Sequence, residues 1–187
     1  MNESRPTGPT PPLQRHAALR PLSREHMGGL IQARSLSSAA DADLDARRAA
    51  VASFVEVWNS EIQDHFDDEE RLLLPLTRDP AMRKRLLDEH RTLRGLARRC
   101  VDDPGAVARD PALMRQVGSL LHDHIRWEER EYFEAVQRER PEALEALTHE
   151  ADRIEQRRAG ARPRRTLAPC DAPPRVARGG QENNHEP

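Results

Sequence analysis

The sequence predicts an all-α protein: an up-down four-helix bundle with a short fifth helix and disordered termini. Three observations lead there. Aromatic residues make up only 3% of a chain rich in Ala, Leu, Arg and Glu, the residues that lose least rotamer freedom in a helix. Apolar residues recur at three- and four-residue spacing, which stripes one helix face. Asp-Pro pairs and similar start signals cut the chain into pieces of helical length.

Taken in order, residues 1–15 carry Pro6, Pro9, Pro11 and Pro12 and little to bury, and are expected to form a flexible arm. Ser23 is the expected cap of a first helix reaching about Ser38, with Leu22, His26, Ala33 and Leu36 near one side. The Asp-Ala-Asp run at 41–43 opens a long second helix ending at Pro75; its stripe reads Phe54, Trp58, Ile62, His65, Glu69 and Leu72. Asp79 and Pro80 start a third helix running to about Arg99, because a proline at the first position loses only an N–H that would have no helical partner. A turn at Asp102–Gly105 follows, and Asp110 and Pro111 repeat the start signal for a fourth helix to about Arg138. Pro141 opens the short fifth helix. From about 159 to 187 large apolar residues nearly vanish, and residues 157–187 hold seven Arg against three acids, a disordered basic tail expected to be a solvated appendage, with contact to an acidic partner or nucleic acid as the alternative. The folded domain is thus expected at 16–158.

Composition removes several classes of function. A chain of 187 residues supports one domain. The longest apolar cluster, Leu72–Leu74 with Leu76, is far short of the ~18 to 20 residues a membrane span needs. No apolar stretch follows the charged N-terminus, so a cytoplasmic location is expected. Cys100 and Cys170 are no disulfide framework. A net charge of −2 argues against bulk binding of nucleic acid. No phosphate loop, CxxC pair or nucleophile triad is present.

The chemistry lies in HxxxE, which occurs twice: His65 with Glu69 and His124 with Glu128. At about 100° per residue, positions i and i+4 share one helix face, and here that face is apolar. Phe54, Trp58 and Ile62 lead into the first pair; Leu113, Val117, Leu120 and Leu121 lead into the second. His26 and His90 add one imidazole each from the stripes of the other two helices, so six ionisable side chains point into one interior. Burying two unpaired carboxylates costs several kcal/mol, on the order of what only a strong opposite charge offsets. A pair of cations supplies it, with two glutamates bridging and two histidines for each ion. His122 lies about 200° around the helix from His124 and should face away; it is grouped with His16, His149 and His185 as outside the site. Glu25, Glu70, Asp88, Glu89 and Glu129 stand near the imidazoles and are able to orient their N–H groups, although most are expected to be simply solvated.

Leu22-Ser-Arg-Glu-His26, HFDDEE at 65–70, Asp-Glu-His90 with Leu93, and HIRWEE at 124–129 together resemble the hemerythrin-like (HHE cation-binding) family over roughly residues 16–138. The resemblance implies a four-helix bundle around a non-haem di-iron centre, with His26, His65, Glu69, His90, His124 and Glu128 as metal ligands and Glu69 and Glu128 as bridges. It implies two iron ions joined by an oxo or hydroxo group, although manganese or zinc suits the same donors. Oxygen-carrying hemerythrins have a further histidine four residues after the third-helix ligand. This chain has Arg94 there. The six-ligand set is more similar to bacterial hemerythrin-like and iron–sulfur cluster repair proteins, but the N-terminal cysteine segment of the repair proteins is missing from residues 1–20.

Three functions follow as expectations. The first is a cytoplasmic di-iron protein that binds or senses O2, NO or peroxide. The second turns the same centre over as an enzyme in peroxide or NO detoxification or cluster repair. The third is a metal-free interaction bundle. Tyr132, one turn beyond Glu128, is a candidate to touch a bound oxygen species, and bundle-end packing is the competing role.

Overall fold

The computed structural model describes residues 14–161, with side chains to residue 156. The arm and tail expected at 1–15 and 159–187, with Cys170 and His185, lie outside these bounds except for Gln14, Arg15 and the helical stretch to Ala161. Every regular element among the described residues is helical.

Helix α1 (Arg20–Ala39) follows a 3-10 turn at Ala17–Leu19. The expected start at Ser23 is corrected: Pro21 occupies the first turn, where its missing N–H is harmless, and Ser23 lies inside the helix. Asp43 begins the second rod, its carboxylate accepting from the Ala46 N–H at 2.9 Å. That rod is α2 (Leu44–Val57), a π turn at Trp58–Ile62, and α3 (Gln63–Leu72). A 3-10 turn at Leu74–Leu76 stops it around Pro75. Leu72, expected on the buried stripe, is only half-buried; the turn rotates Leu73 into the core instead.

Asp79 caps α4 (Pro80–Asp102) through Ala81, and Asp110 caps α6 (Pro111–Trp127) through Leu113. Such caps are worth roughly 0.5–2 kcal/mol each. The turn expected between them contains a short helix, α5 (Pro104–Ala108), because Asp103 caps Ala106 and Pro104 pre-sets the first position. After α6 a second π turn, Glu128–Tyr132, leads to α7 (Phe133–Glu139). The single fifth helix expected from Pro141 is two, α8 (Pro141–Ala146) and α9 (Thr148–Ala161). The break at Leu147 lets Leu144 and Ala151 both reach the apolar cluster around Leu19 and Leu22.

In this bundle α1 packs against α2 and α6, and α4 against α6 and the α2–α3 rod. Two apolar clusters fill it. One holds Leu36, Phe54, Trp58, Phe66, Leu93, Met114 and Ile125; the other holds Leu22, Leu73, Leu86, Trp127, Tyr132 and Phe133. On each rod the six proposed ligands fall in sequence between members of these two clusters, so a polar layer is enclosed by apolar material on both sides.

The closeness of α1 and α6 depends on Gly118. A Cβ there would meet Ser37 Oγ and lie 2.6 Å from the Ala33 carbonyl oxygen, which is backbone and has no rotamer to change. Gly118→Ala is therefore expected to destabilise by about 1–3 kcal/mol. Gly95→Ala, with nothing within 4 Å of the new methyl, should instead stabilise by roughly 0.5–1 kcal/mol through helix propensity. Urea midpoints of the two variants check this.

Candidate metal centre

Each ligand-bearing rod delivers its side chains by simple helical spacing. His65 and Glu69 come from α3, and His124 and Glu128 from the end of α6 and the π turn that follows it. His26 and His90 come from the middles of α1 and α4. All six are buried, and Glu69, His90, His124 and Glu128 are completely inaccessible. Both HxxxE pairs adjoin a π turn, a feature the sequence reading missed; such turns are frequent at functional sites.

The inward atoms converge. His26 Nε2 is 3.2 Å from Glu128 and 3.6 Å from Glu69; His65 Nε2 is 3.3 Å from Glu69. On the other side His124 Nε2 is 3.0 Å from Glu128, and His90 Nε2 is 3.4 Å from Glu69 and 3.6 Å from Glu128. The rings pair in the same way, His26 with His65 at 4.7 Å and His90 with His124 at 4.8 Å.

The outward nitrogens are equally ordered. His26 Nδ1 donates to Glu129 at 2.6 Å, His65 Nδ1 to Glu25 at 2.9 Å, His90 Nδ1 to Glu70 at 2.8 Å and His124 Nδ1 to Glu89 at 2.8 Å. A carboxylate only accepts, so in the neutral ring the proton sits on Nδ1 and the Nε2 lone pair faces the interior. Four of the five acids expected mostly in solvent therefore each hold one imidazole. Asp88 alone behaves as expected of a surface acid, pairing with Lys84 and Arg91.

Whether these residues suit a cation is decided by what they leave over. His26, His65, His90 and His124 Nε2 and both oxygens of Glu69 and Glu128 are buried without a hydrogen bond of acceptable geometry. Buried polar groups are normally satisfied. These atoms fall into two overlapping sets, His26, His65, Glu69 and Glu128, and Glu69, His90, His124 and Glu128, with the ligand atoms of each set within 4.8 Å of one another. Lone pairs aimed at a common centre, without a hydrogen bond of acceptable geometry, fit a cation in each set.

Charge states in the metal-free protein report the same demand. Burial and the neighbouring Glu128 push Glu69 up, but His65 and His26 reverse this and hold it well below the usual carboxylate range. Burial likewise opposes ionisation of Glu128, which His124, His26 and His90 bring down. For His90, burial acts downward and is outweighed by Glu128, Glu69 and Glu70, which raise it to about 10. His26 is raised by Glu128, Glu129 and Glu69 against its burial, and His124 chiefly by Glu128. Glu70 is lowered to about 2, first by His90 and then, against burial, by Arg94.

Arg94 stands where the related oxygen carriers have an imidazole, and a guanidinium has no lone pair to offer. It reaches Glu70 at 2.6 Å and Asp67 at 2.7 Å. Tyr132 is fully buried with its hydroxyl in a 2.8 Å hydrogen bond with Thr77, its ring stacked on Trp127, and burial pushing its ionisation up. That is the packing role. His122 is exposed and pairs with Asp123, and His149 is exposed too; His16 Nδ1 accepts from the Ala18 N–H. Cys100 is buried, which pushes its thiol up to about 11.

Fold and site together define a helical-bundle protein with a buried histidine–glutamate cluster able to hold cations. The model of the hemerythrin HHE cation-binding domain matches residues 17–136, well over half of the chain, and the protein belongs to that family. No curated protein and no solved structure gave a match. No helix among the described residues is long and apolar enough to cross a membrane.

The pKa shifts set a pH window for the metal-free protein. Raised imidazoles contribute stability fully below their unfolded value of 6.5 and lose it as pH rises through the folded values, about 10 for His90. Depressed Glu69 and Glu128 contribute above 4.5 and lose it as pH falls through their lowered values. Metal-free protein should be most stable at pH 4.5–6.5, as urea midpoints across pH would record. Divalent metal added at pH 7 should release protons, because it competes with those on His26, His90 and His124; a weakly buffered indicator titration measures this.

Proposed function

We propose that the protein holds a pair of iron ions and binds or senses a small redox ligand, O2, NO or peroxide, beside them. The observation that carries this reading is the sharing of Glu69 and Glu128 by both ligand sets. Two carboxylates common to two sets of imidazoles suit two adjacent cations of borderline softness; iron is the family's usual choice. Iron bound there would supply one-electron redox changes and a coordination position for the small ligand.

The chain's own contribution is neutralisation, orientation and exclusion of water. Glu69 and Glu128 bring two negative charges into a buried layer where neither has any solvent exposure. Glu129, Glu25, Glu70 and Glu89 hold the four rings at fixed tilt. Phe66 lies flat on His90 at 3.9 Å and Phe133 on His26 at 5.3 Å, closing the site with apolar surface. The up-and-down order of the four rods belongs to this reading, since it brings one histidine stripe from each to one level. A cytoplasmic location does too, where ferrous iron is available and Cys100 stays reduced.

A small cavity beside the site limits the size of the ligand. It lies against His26 and His65 and is lined by Gly29, Phe66, Leu121 and Ile125, with Glu25 and Glu61 at its polar side. Its free volume for the centre of a water-sized molecule is about 10 Å³, close to the minimum for a single water. A larger substrate would not fit without rearrangement.

Stopped-flow absorption after mixing ferrous-loaded protein with O2, NO or hydrogen peroxide tests the proposal. A spectral change saturating with ligand concentration is expected for at least one of the three, and no change with any of them contradicts it. A Cβ at position 29 would lie 2.6 Å from Ile125 Cδ1, so Gly29→Ala should press that side chain into the cavity. The ligand association rate should fall by about tenfold, the equivalent of 1.4 kcal/mol in the barrier, with iron content unchanged.

A further inference from the structure

Three arginines are built against the site in one repeated pattern. Arg15 Nη2 donates to Glu129 at 2.6 Å, and Glu129 holds His26; the Arg15 guanidinium also lies 5.2 Å from the centre of the Phe133 ring, which stacks on His26. Arg94 Nη1 donates to Glu70 at 2.6 Å, and Glu70 holds His90; its guanidinium lies 5.6 Å from the Phe66 ring, which stacks on His90. Arg85 Nε donates to Glu89 at 2.8 Å, and Glu89 holds His124; its guanidinium lies 4.3 Å from the Trp127 ring, which is 6.3 Å from His124. Each arginine thus reaches one ligand imidazole by two routes, through a carboxylate and through an aromatic face.

The three arginines come from two elements, the segment before α1 and α4 on either side of His90, and Arg85 lies one turn before its own partner Glu89. In all three cases the carboxylate and the ring that the arginine meets stand beside the same histidine.

We propose that Arg15, Arg85 and Arg94 are positioning residues that set the donor strength of His26, His124 and His90 and so raise the reduction potential of the metal centre. The inference rests on the redox-metal reading above. A carboxylate accepting from imidazole Nδ1–H draws that proton toward itself and enriches Nε2, which favours the more highly charged ion. A guanidinium on the carboxylate's other side takes up part of its charge and weakens that pull. Because arginine stays protonated at any physiological pH, the setting is permanent. A cation over the packed ring places further positive potential beside the ligand. Removing an arginine should therefore favour the ferric state.

Arg85 and Arg94 are the sites to change, since their side chains are 43% and 32% exposed, whereas that of Arg15 is 8% exposed. Arg94→Met, Arg85→Met and the double variant are loaded with iron and poised in a mediator solution at fixed ambient potential. The ferric-to-ferrous ratio should rise by about tenfold for each arginine removed, the low end of what changing a direct partner of a ligating histidine does to metal affinity or activity. Arg94→Lys should restore most of the ratio, and Glu70→Gln, a weaker acceptor, should move it the opposite way. As a second readout, the Nδ1–H proton resonances of the zinc-loaded protein should shift downfield for His90 in Arg94→Met and for His124 in Arg85→Met.

Variants with wild-type iron content and melting temperature whose ratio and resonances do not move would overturn the proposal and leave the arginines as structural ion pairs. If one variant fails to fold, the other and Arg94→Lys read the same quantities. Wild-type protein that takes up no iron would instead overturn the underlying metal reading, a distinct result.

Discussion

Two carboxylates, Glu69 and Glu128, are buried to zero exposure in one layer of a helical bundle, and the rest of the structure answers to them. Their mutual repulsion and loss of hydration would each disfavour folding by several kcal/mol, on the order of the whole stability of a small domain. Four imidazoles approach within 3.0–3.6 Å to offset this. The imidazoles need partners of their own, and four further glutamates on the outer side supply them. The polar layer is therefore three groups deep, negative at the centre, proton-bearing in the middle and negative again outside. Three arginines close the sequence with positive charge.

Such a layer survives only if it is enclosed. Apolar clusters above and below it raise the strength of every interaction inside, because low polarity strengthens paired charges and penalises unpaired ones alike. Phe66 belongs to both worlds, packing in the core with Trp58 and lying flat on His90. The tight α1–α6 contact at Gly118 brings His26 to the level of Glu128. The same arrangement leaves the metal-free protein able to hold protons where cations would go, so that protons and metal compete for one set of lone pairs.

Much of this was legible in the sequence because helical spacing is a geometric rule. Four residues separate His65 from Glu69 and His124 from Glu128, and that alone puts each pair on a common face. Leu22 before His26 and Leu93 after His90 marked those faces as inward, and the structure brings all six side chains together. The Asp-Pro signals located the starts of α4 and α6. What escaped has physical reasons. A π turn has no strong residue signature, since it inserts one residue into an otherwise ordinary helix. The start of α1 was misplaced because Ser23 looked like a cap while Pro21 governs that turn. The role of the outer glutamates is not legible in the sequence, because which imidazole an acid meets depends on the packing of a different helix: Glu25 serves His65, and Glu89 on α4 serves His124 on α6. Arg15 falls in a proline-rich stretch that predicts a flexible arm, yet its side chain is buried between Glu129 and Glu134.

Metal stoichiometry tests the central claim most directly. Native mass spectrometry of the chain, freed of metal and then given ferrous iron anaerobically, should show two ions bound to wild type. Neither Glu69→Ala nor Glu128→Ala should retain both, because each glutamate belongs to both ligand sets. A folded wild-type chain that binds no iron, or variants that keep two ions, would contradict the account.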